Sequence, residues 1–178
     1  PTFYQRMARV AHAADIGSLR MSVSSGEALP LPVREHWREA TGLEMTELLG
    51  STEMLHAFIG STAEQVRPGC IGRAIAGYRA AILDEAGEPL PDGAIGRLAV
   101  KGPTGCRYLD DPRQRDYVQN GWNITGDACS MDADGYIAYH SRYDDMIISS
   151  GYNIAGVEVE NVLLEHPEVA ECAVIGTP

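Results

Sequence analysis

The hydrophobic pattern of this chain changes period twice, near Val66 and again after Arg142, so one repeating architecture cannot run its length. Up to about residue 64 helical and extended segments alternate. Thr2 and Gln5 have the spacing of a capping box, and Phe3, Met7, Val10, Ala11 and Ala14 follow at helical intervals. Leu19 to Ser24 is an apolar run suited to a strand. Pro32 suits the start of a second helix with Val33, Trp37 and Ala40 on one face, closed by Gly42. Glu44 to Leu49 predicts a strand that delivers the chain to Gly50. This is the pattern of an α/β layer, where ligand groups sit at strand ends.

From Val66 onward short strands are expected at Tyr78–Leu83, Gly96–Lys101, Trp122–Ile124, Ala128–Met131 and Tyr136–His140, separated by Gly- and Pro-containing turns. They predict a small, largely antiparallel, barrel-like unit. Asp132-Ala133-Asp134-Gly135 lacks the further acidic ligands of a calcium loop and reads as a hairpin turn. Beyond Arg142, a strand at Met146–Ile148, a helix from about Val157 to Glu165 and a buried strand from Val169 to Gly176 predict the start of a β-α-β unit. The fold class is therefore mixed α/β.

With 178 residues the chain can hold one domain or parts of two, and 44% hydrophobic content permits a buried core. A net charge of -11 argues against a nucleic-acid or anionic-membrane surface, though a local pocket can still take an anion. No apolar run approaches the roughly 18 residues of a membrane span, and no basic-then-apolar leader opens the sequence. Cys70, Cys106, Cys129 and Cys172 are far apart and read as reduced thiols of a cytoplasmic protein. A start without Met on a helix signal, and a last strand with nothing to pair against, carry the expectation that this is part of a longer enzyme.

Three runs bear chemistry. In Gly50-Ser51-Thr52-Glu53, Gly admits close approach of a ligand or backbone, Thr52 offers a hydroxyl to phosphate, and Glu53 offers a hard oxygen to Mg²⁺. The same four residues would equally make a capped helix start. Asp127 in Thr125-Gly126-Asp127 can accept both hydroxyls of a ribose, or bond turn amides. Arg142, followed by Tyr143-Asp144-Asp145, suits phosphate or ribose oxygens, or a surface ion pair with a neighbouring Asp.

The order and spacing of these runs resemble the adenylate-forming acyl- and aryl-CoA ligases. The resemblance covers nearly the whole chain. Ser25-Gly26-Glu27-Ala28-Leu29-Pro30 is similar to the adenine-side loop, Gly50-Ser51-Thr52-Glu53 to the Tyr-Gly-x-Thr-Glu motif, and Thr125-Gly126-Asp127 to the ribose motif. Arg142 to Ile147, with Gly151-Tyr152-Asn153-Ile154 and Glu158-Val159-Glu160, resembles the hinge segment. Gly50–His56, Lys101–Leu109 and Met146–Gly156 look most like benzoate- and 2-aminobenzoate-CoA ligases. Leu49 stands where the family has an aromatic residue, and Ser141 where it has Gly. The single Lys, Lys101, falls in a barrel strand and reads as structural, so the phosphate loop and the catalytic Lys are expected outside this chain.

The resemblance implies residues 1–64 as the end of a large α/β layer, 65–141 as the barrel-like subdomain, 142–146 as a hinge and 147–178 as the start of a C-terminal α+β domain. It implies an AMP-forming ligase using ATP, Mg²⁺ and CoA, the isolated chain being inactive. Thr52 and Glu53 would act in catalysis, with Glu53 on the metal. Ser25, Gly26, Glu27, Gly50, Ser51, Thr52, Asp127 and Arg142 would hold nucleotide. Gly50, Met54 and His56 would face an aromatic acid, although His56 could equally be a satisfied, half-buried histidine. Asp144 would be the hinge, and Ser150, Gly151 and Tyr152 would border the CoA path. Transfer to a carrier-protein thiol and a non-catalytic nucleotide-binding module are the competing readings. Oligomeric state is not legible.

Overall fold

Helix α1 spans Thr2–Ala11 and lies against α2, Leu31–Thr41. Pro32 sits in the first turn of α2, and Gly42, at φ 73°, ends it by donating its N–H to the Arg38 carbonyl. The computed structural model describes residues 1–11, 16–149, 152–166 and 168–177, with backbone alone for 152–153. In α1 Thr2 is already helical, with the Gln5 N–H bonded to the Pro1 carbonyl, so Thr2 is not the expected cap. The buried face also differs from expectation. Ala8 and Ala11, with Tyr4 and Met7, pack on Trp37 and Met45, leaving Phe3 and Val10 exposed. Tyr4 decides this: its ring meets Trp37 edge-on at 4.8 Å, and its hydroxyl serves Val23, donating to the carbonyl at 2.9 Å and accepting from the N–H at 3.1 Å. Ala14 lies outside the described residues.

The first sheet has the order β1 (Ser22–Ser25), β2 (Met45–Gly50), β3 (Ala57–Gly60), β4 (Arg73–Ala74). Strands β1 and β2 are parallel, and the rest of the sheet is antiparallel. β1 starts later than the apolar run suggested because Met21 is exposed while Ser22 and Ser24 are buried, Ser22 accepting the Trp37 indole N–H at 2.8 Å. Strands β3 and β4 were not anticipated. Ala57–Gly60 is too short, and too closely flanked by Gly and Ser, to show a period.

The second sheet is antiparallel throughout: β5 (Arg79–Leu83), β6 (Gly96–Lys101), β7 (Val118–Gln119), β8 (Trp122–Met131) and β9 (Ile137–Arg142), with α3 (Gln114–Tyr117) before β7. The two strands expected at Trp122–Ile124 and Ala128–Met131 are one. Thr125-Gly126-Asp127 lies inside β8, where Gly126 at φ 78° and a register shift between Ala128 and Cys129 bend the strand without ending it. The Asp132–Gly135 hairpin forms as expected, Asp132 accepting from the Asp134 and Tyr136 N–H groups. A core of Met54, Phe58, Ile59, Ile71, Tyr78, Ile82, Leu98, Val100, Cys129 and Ile137 fills the space between the two sheets.

A 3-10 turn at Tyr143–Asp145 leads to the hairpin β10 (Ile147–Ser149) and β11 (Tyr152–Ile154), then to α4 (Gly156–Leu164). The strand expected from Val169 to Gly176 is absent. The described residues there find no sheet partner and are tied to α4 instead, the Val174 N–H donating to Glu160 Oε1 at 2.9 Å and the Cys172 thiol reaching the Glu160 carbonyl. Among the described residues no helix is long and apolar enough to cross a membrane. All four cysteines are free thiols.

At Gly50 strands β2 and β3 approach closely. A Cβ there would lie 2.6 Å from the His56 carbonyl oxygen and 2.8 Å from the Ala57 Cα, both immovable backbone atoms. Gly50→Ala should therefore force β2 and β3 apart and destabilise the full-length protein by about 1–3 kcal/mol, read as a lowered melting temperature.

Candidate functional site

A cleft of about 210 Å³ opens at the carboxyl ends of the parallel strands β1 and β2. One wall is Ser25, the turn Gly26-Glu27 and the run Glu47 to Ser51. The other is Asp127, Tyr139 and Arg142 from the second sheet. Crevices at the ends of parallel strands collect ligand groups because the chain turns there and frees side chains and amides to face one point. The structure thus brings together Ser25, Gly26, Glu27, Gly50, Ser51, Asp127 and Arg142, which are far apart in sequence.

Asp127 and Arg142 are register partners across β8 and β9, which is why residues 15 apart meet. The Arg142 Nη1 donates to Asp127 Oδ1 at 2.6 Å and to the Thr125 carbonyl at 3.1 Å. The Asp127 side chain is 8% exposed and that of Arg142 is 53% exposed. The partner of Arg142 is therefore the carboxylate expected to bind ribose, not Asp144 or Asp145. Gly126 makes the approach possible: a Cβ there would sit 2.5 Å from Arg142 Nη2.

Glu53 lies beyond Arg142, in a second, open depression of about 520 Å³ that also takes in Tyr108, Thr125, Gly126, Arg142 and Asp144. Arg142 is common to both hollows. Residues 51–55 form a turn, not a helix start: Ser51 Oγ accepts the Met54 N–H at 3.2 Å and the Thr52 carbonyl accepts the Leu55 N–H at 3.1 Å. Leu55 takes φ 68°, uncommon for a branched residue, and Thr52 is exposed and lines neither hollow. Glu53 Oε1 accepts the Tyr108 hydroxyl at 2.7 Å. That bond is the main cause holding the Glu53 carboxyl below its ordinary value, and it pushes the Tyr108 phenol up to about 12.

Other expected positions fare differently. Met54 is fully buried in the core and lines neither hollow, because the turn points its side chain inward against the second sheet. His56 has partners at both ring nitrogens, the Ala57 carbonyl and the Tyr78 hydroxyl, the latter at 3.0 Å, although its ring is exposed. Asp144 is exposed in the 3-10 turn. Ser150 and Gly151 lie outside the described residues, as does the Tyr152 side chain. Lys101 donates to the Asn120 carbonyl at 3.2 Å and lies over the Trp122 ring, a structural post as expected.

Glu47, Tyr108 and Tyr139 were missed. Glu47 and Tyr139 fell within expected strands with no site role, and Tyr108 entered only as part of the Lys101–Leu109 run of the family resemblance. Glu47 accepts the Leu29 N–H at 3.1 Å and pairs with buried Arg34 at 3.2 Å, so it ties the Gly26 turn to α2. Burial raises the Glu47 carboxyl above its ordinary value, against the pull of Leu29 and Arg34.

Among the described residues no three His, Cys, Asp or Glu side chains gather as a metal cage. Mg²⁺ does not need one, since it keeps several waters and shares phosphate oxygens with one or two carboxylates. A partly exposed, ionised Glu53 fits that requirement.

Residues 1–108 match the AMP-binding enzyme family and residues 158–178 its C-terminal domain. The chain belongs to the AMP-binding enzyme family. It is 39% identical over 167 residues to acyl-coenzyme A synthetase ACSM4, mitochondrial, of Rattus norvegicus, covering 90% of this chain and 29% of that protein. It is 35% identical over 181 residues to the benzoate–CoA ligase of Thauera aromatica, covering 99% and 34%. The anthranilate CoA ligase AuaEII, solved with anthranoyl-AMP, superposes with a TM-score of 0.91 at 37% identity, over 98% of this chain and 35% of that one. The chain thus spans about a third of the length of these relatives.

Without Glu47, buried Arg34 keeps only the longer ion pair to Glu44 at 3.8 Å, and breaking the shorter buried pair is destabilising. Glu47→Gln should lower stability by about 3 kcal/mol, and Glu47→Leu with Arg34→Leu should recover much of it. Thermal denaturation of the full-length variants checks both.

Proposed function

We propose that this chain is the nucleotide-holding portion of an enzyme that activates a carboxylic acid with ATP and passes the acyl group to CoA, the acid being aromatic, of the benzoate or 2-aminobenzoate type. The observation that carries this reading is the Asp127–Arg142 pair facing the ends of β1 and β2 across one cleft.

A carboxylate already oriented by a guanidinium keeps lone pairs for two more donors, which suits a ribose diol. Tyr139 gives the cleft an aromatic wall, a role that Leu49 cannot fill. Arg142 stands between the ribose side and the depression holding Glu53, so it would reach the α-phosphate. Mg²⁺, held by Glu53 with Thr52 close by, would supply charge neutralisation along the phosphates. The acid's carboxylate oxygen attacks the α-phosphorus, an acyl-adenylate forms and pyrophosphate leaves. The thiol of CoA then attacks the acyl carbon and AMP leaves. No side chain becomes covalently attached, so positioning and electrostatics do the work. Asp144, exposed in the turn between β9 and β10, would be the hinge on which the following residues turn between the two steps, with Ser150, Gly151 and Tyr152 along the CoA path.

The likeness to benzoate–CoA ligase and to anthranilate CoA ligase supports the aromatic acid. A second reading, a non-aromatic acyl substrate, is favoured by the likeness to acyl-coenzyme A synthetases. Pyrophosphate exchange by the full-length protein, with a panel of aryl and fatty acids and with CoA or a carrier protein as acceptor, separates the readings. Exchange stimulated by benzoate or 2-aminobenzoate above any fatty acid, with CoA acylated, is the expected outcome.

Asp127→Ala removes the charge-assisted contacts to ribose, worth about 3 kcal/mol together, and should raise KM for ATP roughly 100-fold at that energy. Asp144→Pro should spare adenylate formation and cripple thioester formation. Equal loss of both half-reactions would remove Asp144 from the hinge role.

A further inference from the structure

We infer that Tyr108 is a positioning residue for Glu53, fixing the carboxylate that faces the metal-bound phosphates. This rests on the nucleotide reading given above.

Tyr108 is held on four sides. The Gln114 side chain accepts its backbone N–H at 2.7 Å, and its ring lies 5.5 Å from that of Tyr117 at an interplanar angle of 56°. The Arg113 guanidinium sits 5.3 Å from its ring centroid, itself clamped by Asp111 at 2.6 Å. The fourth contact is the hydroxyl on Glu53 Oε1 at 2.7 Å. The first three come from residues 111–117, just beyond Tyr108 in sequence. The fourth crosses to a turn 55 residues away.

Glu53 needs such a partner. It lies half-buried in the 51–55 turn, where its only other hydrogen-bonding partners are local, its own backbone N–H and the Ser51 hydroxyl. A carboxylate free to rotate would have to be ordered each time a metal arrived, and that ordering costs rotamer entropy. A hydroxyl donor on one oxygen removes the rotation while leaving the negative charge in place. Partners of this kind, one step removed from the metal, are worth roughly 10–100-fold in metal affinity.

The test is Tyr108→Phe in the full-length protein, which keeps the ring and its packing and deletes only the hydroxyl. ATP binding is measured by calorimetry with excess Mg²⁺ and again with chelator. The expected result is unchanged affinity in chelator and a gain from Mg²⁺ reduced roughly tenfold. In a Glu53→Ala background the same substitution should change nothing, because the two residues act as one unit. An undiminished Mg²⁺ gain in Tyr108→Phe overturns the assignment while leaving the nucleotide reading intact. An equal loss with and without Mg²⁺ overturns it as well, showing that Tyr108 only supports the fold. Failure of the unsubstituted protein to bind ATP under either condition removes the nucleotide reading, and this inference with it.

Discussion

A cross-strand ion pair, Asp127 to Arg142 at 2.6 Å, is the constraint around which the open side of this molecule is arranged. To make it, β8 must run unbroken through a glycine at positive φ, β9 must end in register with it, and Gly126 must lack a side chain. The first sheet then has to present the ends of β1 and β2 to the same spot. That demands the buried contacts of Trp37 and Tyr4 on one side, and the near-collision of Gly50 with the 56–57 backbone on the other. Each of these requirements is local, and together they bring polar groups of both sheets onto one cleft.

The parts of the fold legible in the sequence are those where one signal had one meaning. Pro32 and Gly42 bracket α2 because the ring presets a helical φ and glycine alone takes the left-handed cap cheaply. The Asp132 turn was legible for the same reason. What failed involved a tertiary partner. Phe3 and Val10 had helical spacing, yet Tyr4 with its hydroxyl on Val23 rotated α1 onto another face. Gly126 looked like a break between strands because glycine weakens a strand, but inside a bulged strand its freedom is the point. Val169–Gly176 had strand propensity without a neighbouring strand to satisfy its amides, and backbone pairing outranks propensity.

The site divides similarly. That Gly50, Asp127 and Arg142 converge on one cleft was readable from residue types suited to a nucleotide, whereas Ser25 and Gly26 entered only through the family resemblance. Glu47 and Tyr108 were not readable, since each matters only through what it touches. Their partners, Leu29 with Arg34 and Glu53, lie up to 55 residues away. Met54 shows the converse. It neighbours functional positions in sequence, but turn geometry sends it into the core.

The energetics of the Asp127–Arg142 pair argue for a ligand rather than for stability. Half-exposed pairs contribute about 0–1 kcal/mol to folding, and taking a carboxylate out of water costs more than an apolar side chain would. Asp127 is nonetheless buried to 8% exposure, with its charge compensated by a guanidinium that is itself 53% exposed. Stability alone would favour either burying both groups or neither. An arrangement that fixes a carboxylate and leaves its partner open to a second hollow is costly as scaffolding. It is economical as a receptor whose donors and acceptors are oriented before the ligand arrives, because ordering them then costs nothing further.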